Sequence, residues 1–102
     1  MKIQWTTLAV EDLESIRNYI ARDSDFYASS FIEKILHTVD KIGDLPEIGR
    51  MVPEANSPNI REVIFQNYRI IYRILHDSIQ LIGVIRGSRD LSKWPLKPWE
   101  II

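Results

Sequence analysis

The apolar side chains change their period once along this chain, and that change divides it into a helical half and a strand half. Before Gly43 they recur at helical intervals. Ala9, Leu13, Ile16 and Ile20 keep the i, i+4, i+7, i+11 spacing of one helix face. Thr7 is the expected N-cap, and Glu11 and Asp12 lie toward the positive end of the helix dipole. A second face runs through Ala28, Ile32, Ile35, Val39 and Ile42, widened by Phe31 and Leu36, with Ser24 as its natural cap and an expected stop near Gly43. Few residues separate the two segments, so the spacing predicts an antiparallel helical hairpin whose apolar stripes face a common partner.

Residues 44–59 hold Pro46, Gly49, Pro53 and Pro58 and read as a loop between the halves. Beyond it β-branched and aromatic residues dominate in three runs, 60–65, 68–75 and 79–86, divided by Gln66-Asn67 and by the polar residues near Asp77-Ser78. Their spacing predicts an antiparallel meander. Residues 2–6 alternate in character and supply a further candidate strand. The expected fold is therefore α+β, in the order β-α-α-β-β-β, with a strand and a helical hairpin followed by the three-stranded meander that completes one sheet. In the central run the alternation separates Tyr68, Ile70, Tyr72 and Ile74 from Arg69, Ile71, Arg73 and Leu75, so one face should be core and the other mixed.

The strand half also carries the chemistry. Arg61, Arg69, Arg73, Arg86 and Arg89 fall on or beside the three runs, although the whole chain has a formal net charge of −1. Residues 1–50 carry six basic and nine acidic side chains, whereas residues 51–102 carry seven and five. This asymmetry assigns any contact with phosphate or another anion to the C-terminal sheet, with all five arginines as candidate anion or target-binding groups.

Length and composition narrow the rest. At 102 residues, 45% of them hydrophobic, the chain fits one compact domain, expected over residues 1–90, with residues 91–102 as an extended tail packed on it. That tail contains Trp94 and Trp99, which read as packing residues or, if exposed, as partner anchors. The absence of cysteine excludes a disulfide framework and thiolate chemistry and suits a reducing cytoplasm. The first residues lack the continuous apolar stretch of about 7–15 residues that a secretory signal needs. No membrane span is expected. His37 and His76 are not spaced with carboxylates as metal ligands, and neither a metal nor another cofactor is expected.

A set of segments in fixed order carries a family resemblance. Ala9-x-x-Asp12-Leu13-x-x-Ile16-x-x-Tyr19-Ile20 is followed by Leu45-Pro46-x-x-Gly49-Arg50, then Arg61-Glu62, Tyr68-Arg69-Ile70-Ile71-Tyr72 and Val84-Ile85-x-Gly87-x-Arg89. Across roughly residues 2–90 this order resembles the RelE/ParE superfamily of toxins from bacterial type II toxin–antitoxin modules. The helical Asp-Leu segment, the Pro-x-x-Gly-Arg loop and the Arg-Glu pair are closer to the ParE-like, plasmid-stabilisation branch. The resemblance implies a growth-arresting toxin neutralised by a cognate antitoxin, with possible assembly of toxin and antitoxin into larger complexes.

The two branches differ in what they do. ParE-like members inhibit DNA gyrase, whereas RelE-like members cleave mRNA in the ribosome. Carried onto this chain, the ribonuclease reading would give Arg61, Arg69 and Arg89 roles around the phosphate, with Glu62 as the candidate base. Cleavage by the 2′-hydroxyl also needs a group to move protons, and residues 85–90 offer neither His nor Tyr. Arg86 stands where relatives often show histidine, and a guanidinium stays protonated at neutral pH. The resemblance therefore leans toward a binding toxin rather than an enzyme. A ribosome-dependent endoribonuclease and an inactive partner-binding domain remain as alternatives.

Overall fold

The computed structural model describes residues 1–101, which form a strand, a helical hairpin and a sheet of five strands. Strand β1 spans Lys2–Trp5, helix α1 Thr7–Ala21 and helix α2 Asp25–Asp44. The short strand β2 is Arg50–Met51, and β3, β4 and β5 are Ile60–Phe65, Tyr68–Ile74 and Ser78–Arg86. The sheet runs β1-β5-β4-β3-β2, with the meander antiparallel and β1 parallel to β5. The α+β order expected from the sequence is therefore present, with two additions: the parallel pairing of β1 and the two-residue strand β2.

Local chemistry explains how the hairpin begins. Thr6, not Thr7, caps α1: its Oγ1 accepts from the Ala9 N–H at 3.1 Å and donates to the Leu81 carbonyl at 2.8 Å, so one hydroxyl starts the helix and ties it to β5. Ser24 caps α2 as expected, accepting from the Tyr27 N–H at 3.2 Å. The apolar stripes of both helices cover one face of the sheet. Phe31, Ile35, Val39 and Ile42 join Ala9 with Ile70, Tyr72, Ile79, Leu81 and Val84 in the principal core. Leu36 is an exception to the expected stripe, because it points to solvent.

The opposite face of the sheet is not merely mixed. Val52, Ile60, Ile71, Ile82, Ile85 and Leu91 form a second buried cluster, on which Trp94 and Trp99 pack. The tail is therefore a cover over this second core, built from two 3-10 turns, Leu91–Lys93 and Pro98–Glu100. A β-bulge allows β5 to serve both cores. Ile71 pairs with Gly83 and Tyr72 with Leu81, leaving Ile82 without a cross-strand partner. The extra residue shifts the alternation, so Leu81 and Val84 face the helices while Ile82 and Ile85 face the tail.

Two glycines mark close approaches. A Cβ at Gly49 would fall 2.5 Å from the Tyr72 hydroxyl and 2.7 Å from the Glu62 carbonyl oxygen. The Gly49 N–H instead donates to that hydroxyl at 2.9 Å, and the hydroxyl donates to the Pro46 carbonyl at 2.6 Å. The Pro-x-x-Gly-Arg segment is thus a clamp around a buried tyrosine. Burial raises the Tyr72 pKa, which keeps the phenol neutral and able to donate. At Gly83 a Cβ would come 3.0 Å from Asp12 Oδ2, the oxygen that accepts from the Val84 N–H beside the bulge at 3.0 Å.

Candidate functional site

Alternation along β3 and β4 sends Glu62 and Arg69 to the face of the sheet away from the helices. Glu62 is 1% exposed and Arg69 5%. Burying either charge alone would be costly, and each is paired. Arg69 Nε donates to Glu62 Oε1 at 2.6 Å, while its two terminal nitrogens reach Glu54 at 3.0 and 2.8 Å in the fork geometry that guanidinium and carboxylate share. Arg50 closes the other end, with Nε and Nη2 each 2.7 Å from Glu62 Oε2. The order Arg50–Glu62–Arg69–Glu54 is a ladder of alternating charge that links β2, β3, β4 and the loop after β2.

The ladder also holds the end of β5. Arg69 Nη1 donates to the Arg89 carbonyl at 3.3 Å, and Glu54 Oε2 accepts from the Leu91 N–H at 3.3 Å. The Arg69 guanidinium lowers the Glu54 pKa from 4.5 to about 2. The same hydrogen bonds to Glu54 and Glu62 raise the Arg69 pKa, with burial opposing them.

The other arginines expected to bind anions divide into two kinds. Arg61 is tied to backbone oxygens, donating from Nε to Pro58 at 3.0 Å and from Nη1 to Gly49 at 3.0 Å. Arg73 donates to Gln80 Oε1 at 3.3 Å and to the Trp99 carbonyl at 2.8 Å, and so fastens the tail. Arg86 and Arg89 are exposed, and neither forms a salt bridge among the described residues. Instead of five convergent cations, the sheet presents three that hold its own structure and two that face solvent. Glu62, the candidate base, has both oxygens taken by guanidinium N–H groups. That arrangement gives it a structural partner on each side and no open approach for a substrate proton.

Arg86 and Arg89 border a cleft of about 320 Å³ between α1 and the end of β5. Asp12, Tyr19, Tyr68 and Trp94 complete its main features. Arg86 is paired across the strands with Tyr68. The Arg89 guanidinium lies 5.7 Å from the centroid of the Trp94 ring, a cation–π distance. Burial raises the pKa of Asp12, while the Val84 N–H and the Arg89 charge oppose the shift. Chemically, the cleft offers two guanidinium groups for an anion, three aromatic rings for a flat or apolar group and one carboxylate acceptor.

The sequence singled out Arg86 and Arg89, but it did not group them with Asp12, Tyr19 and Tyr68. Asp12 stood out in the sequence as an acid toward the start of α1 and as part of the Asp-Leu segment, and neither signal pointed to a cleft. Glu54 had no signal, because it lies in a proline-rich loop without a period. Among the described residues no group of three or more His, Cys, Asp or Glu side chains is placed to hold a metal ion, and no helix is long and apolar enough to cross a membrane.

Comparison with known proteins puts these features in a family. The family described as "ParE toxin of type II toxin-antitoxin system, parDE" matches residues 3–91. Y4kP of Sinorhizobium fredii, a protein named as a candidate toxin, is 28% identical over 96 residues, covering 92% of this chain and 93% of its own. Toxin RelE2 of Caulobacter vibrioides is 26% identical over 89 residues, covering 86% of this chain and 97% of its own. Among solved structures, a chain of the chromosomal ParDE TA system from P. aeruginosa superposes with a TM-score of 0.70 at 21% identity, covering 84% of this chain and 95% of that one. The likeness of fold agrees with the sequence match, which spans both helices and the whole meander, and the chain belongs to the ParE toxin family of type II toxin–antitoxin systems.

Proposed function

We propose that this chain arrests bacterial growth by binding a protein target, DNA gyrase, in the manner of the ParE branch, and that a cognate antitoxin neutralises it. The observation that carries this reading is the state of Arg69. Phosphodiester cleavage would call for that guanidinium at the phosphate, where it would stabilise developing charge. Here it is buried and satisfied by Glu54 and Glu62. Glu62, the base that the cleavage reading would need, is held between Arg50 and Arg69. The exposed cations, Arg86 and Arg89, lie beside aromatic side chains, a combination suited to protein recognition.

The antitoxin belongs to the same proposal. It rests on family membership and on a fold shared with a chain from a ParDE system. The experiment is a pair of assays on the purified protein. One follows supercoiling of relaxed plasmid by gyrase, and the other follows cleavage of mRNA on translating ribosomes. Inhibited supercoiling with intact mRNA is the expected result, and addition of the antitoxin should restore supercoiling. Cut mRNA with unimpaired gyrase would replace this reading with the ribonuclease one. No effect in either assay, together with normal growth on expression without antitoxin, would leave the inactive binding domain.

A further inference from the structure

We propose that Ser88 is a phosphorylation site, taken by a serine kinase that reads arginine, and that its phosphate ties up the two free cations beside it. Residues 86–90, Arg-Gly-Ser-Arg-Asp, are exposed one after another, and no longer exposed run occurs among the described residues. A kinase needs such a stretch, because it draws several consecutive residues into its own cleft. The turn is fastened at its base and open at its tip. The Arg89 N–H donates to the Arg86 carbonyl at 3.1 Å, and the Gly87 N–H donates to the Asn67 carbonyl at 2.7 Å.

The other serines are less available. Ser78 is buried, and Ser15, Ser29 and Ser30 lie within helices. Ser24 and Ser57 accept backbone N–H groups, and Ser92 Oγ donates to Asp90 Oδ1 at 2.6 Å. Ser88 alone stands in an exposed turn with an arginine two residues before it and another directly after it. Basic residues at such spacing are the charge pattern by which many kinases select a substrate. Asp90, the one acid of the exposed run, does not take up these charges, since its carboxylate accepts from the N–H and the hydroxyl of Ser92.

In the transfer itself, Ser88 Oγ attacks the γ-phosphorus of a nucleoside triphosphate held by the kinase. The bond from that phosphorus to its bridging oxygen breaks, the diphosphate leaves, and the hydroxyl proton passes to a carboxylate of the kinase. The product carries about −1.5 to −2 charge at neutral pH. Ser88 lines one hollow together with Arg86 and another together with Arg89, and neither arginine has a salt-bridge partner among the described residues. Phosphate oxygens at this position accept charge-assisted bonds from both. The arginines are then occupied from within the chain, as Arg69 is by Glu54. The modification is independent of the cellular target, whereas its effect on growth arrest rests on the reading of Arg86 and Arg89 as target-binding groups.

The purified full chain is treated with ATP and the catalytic subunit of the cyclic-AMP-dependent protein kinase, an arginine-directed serine kinase, and phosphate is located by tandem mass spectrometry. One phosphate on Ser88 is expected, absent in Ser88→Ala and added about tenfold more slowly in Arg86→Ala. Followed by phosphorus-31 NMR, the second ionisation of that phosphate should lie about half a pH unit lower in the folded chain than in the chain unfolded by urea. Arg89→Ala should narrow the gap. In the supercoiling assay the phosphorylated chain should need about tenfold more protein for the same inhibition, and phosphatase should reverse the loss. Ser88→Ala should inhibit equally before and after kinase treatment. No phosphate on Ser88, phosphate chiefly on another serine, an ionisation unchanged by folding, or full inhibition by the phosphorylated chain would each overturn the proposal. If the unmodified chain leaves gyrase untouched, the function proposed above fails, and the phosphate map and the ionisation still decide this inference.

Discussion

Arg69 on β4 and Arg89 just beyond β5 are the same residue type at one end of one sheet, yet their surroundings give them opposite functions. Arg69 is buried, with a carboxylate on each side, and its energy goes into holding β3, β4 and the loop that carries Glu54. Arg89 lies in solvent over the Trp94 ring, with its charge available to another molecule. The two are mechanically linked, because Arg69 and Glu54 bond the backbone of Arg89 and Leu91. The ladder positions the exposed cations without sharing their role. Loss of toxicity in a variant of Arg69 would therefore not, by itself, identify a catalytic arginine.

That contrast can be broken at the ladder first. Arg69→Ala would leave Glu62 buried with Arg50 alone and should destabilise the fold by about 3–5 kcal/mol, the cost of breaking a buried pair from one side. Denaturant unfolding measures it; a loss within about 0.5 kcal/mol, as at ordinary surface positions, would mean that the ladder is dispensable. Gly49→Ala should cost about 1–3 kcal/mol through overpacking, since the new methyl meets both the Tyr72 hydroxyl and the Glu62 carbonyl. A melting temperature equal to that of the parent would show that the clamp can widen freely.

The ladder should also have an acid signature. Glu54 has its folded-state pKa depressed to about 2 from 4.5. Its stabilising effect is then present in full above the unfolded value and is lost as pH falls through the interval from 4.5 to about 2. Unfolding followed across that interval should show a smaller loss in Glu54→Gln than in the parent chain, and superimposable profiles would contradict the pairing. At the cleft the expectation reverses. Arg86→Ala should change stability by no more than about 0.5 kcal/mol, because the side chain is exposed and has no salt-bridge partner among the described residues, yet it should reduce toxicity in cells expressing the chain without antitoxin. Full toxicity at normal expression would separate Arg86 from the target-binding surface.

Much of the architecture was legible in the residues. Helical spacing through Ala9, Leu13, Ile16 and Ile20, and again from Ala28 to Ile42, marked both helices, and the Gln66-Asn67 pair marked the β3–β4 turn. The parallel β1–β5 pair was not legible, since β1 and β5 are separated by most of the chain and pairing at that distance leaves no local period. The second core was obscured for a related reason: regular alternation would put Ile82 and Ile85, three residues apart, on opposite faces, and only the bulge at Ile82 brings both to the tail side. The resemblance of the Tyr-Arg and Pro-x-x-Gly-Arg segments identified the family, but it did not say what those residues do here.

The sequence by itself determined the element types, the one-sheet α+β order and the toxin family, because period, capping and turn chemistry act between near neighbours and family motifs persist in order. Only the tertiary structure decided which arginines are free. A guanidinium looks the same in every sequence position, and whether it binds a partner or the protein itself depends on carboxylates such as Glu54 that folding brings to it from distant parts of the chain.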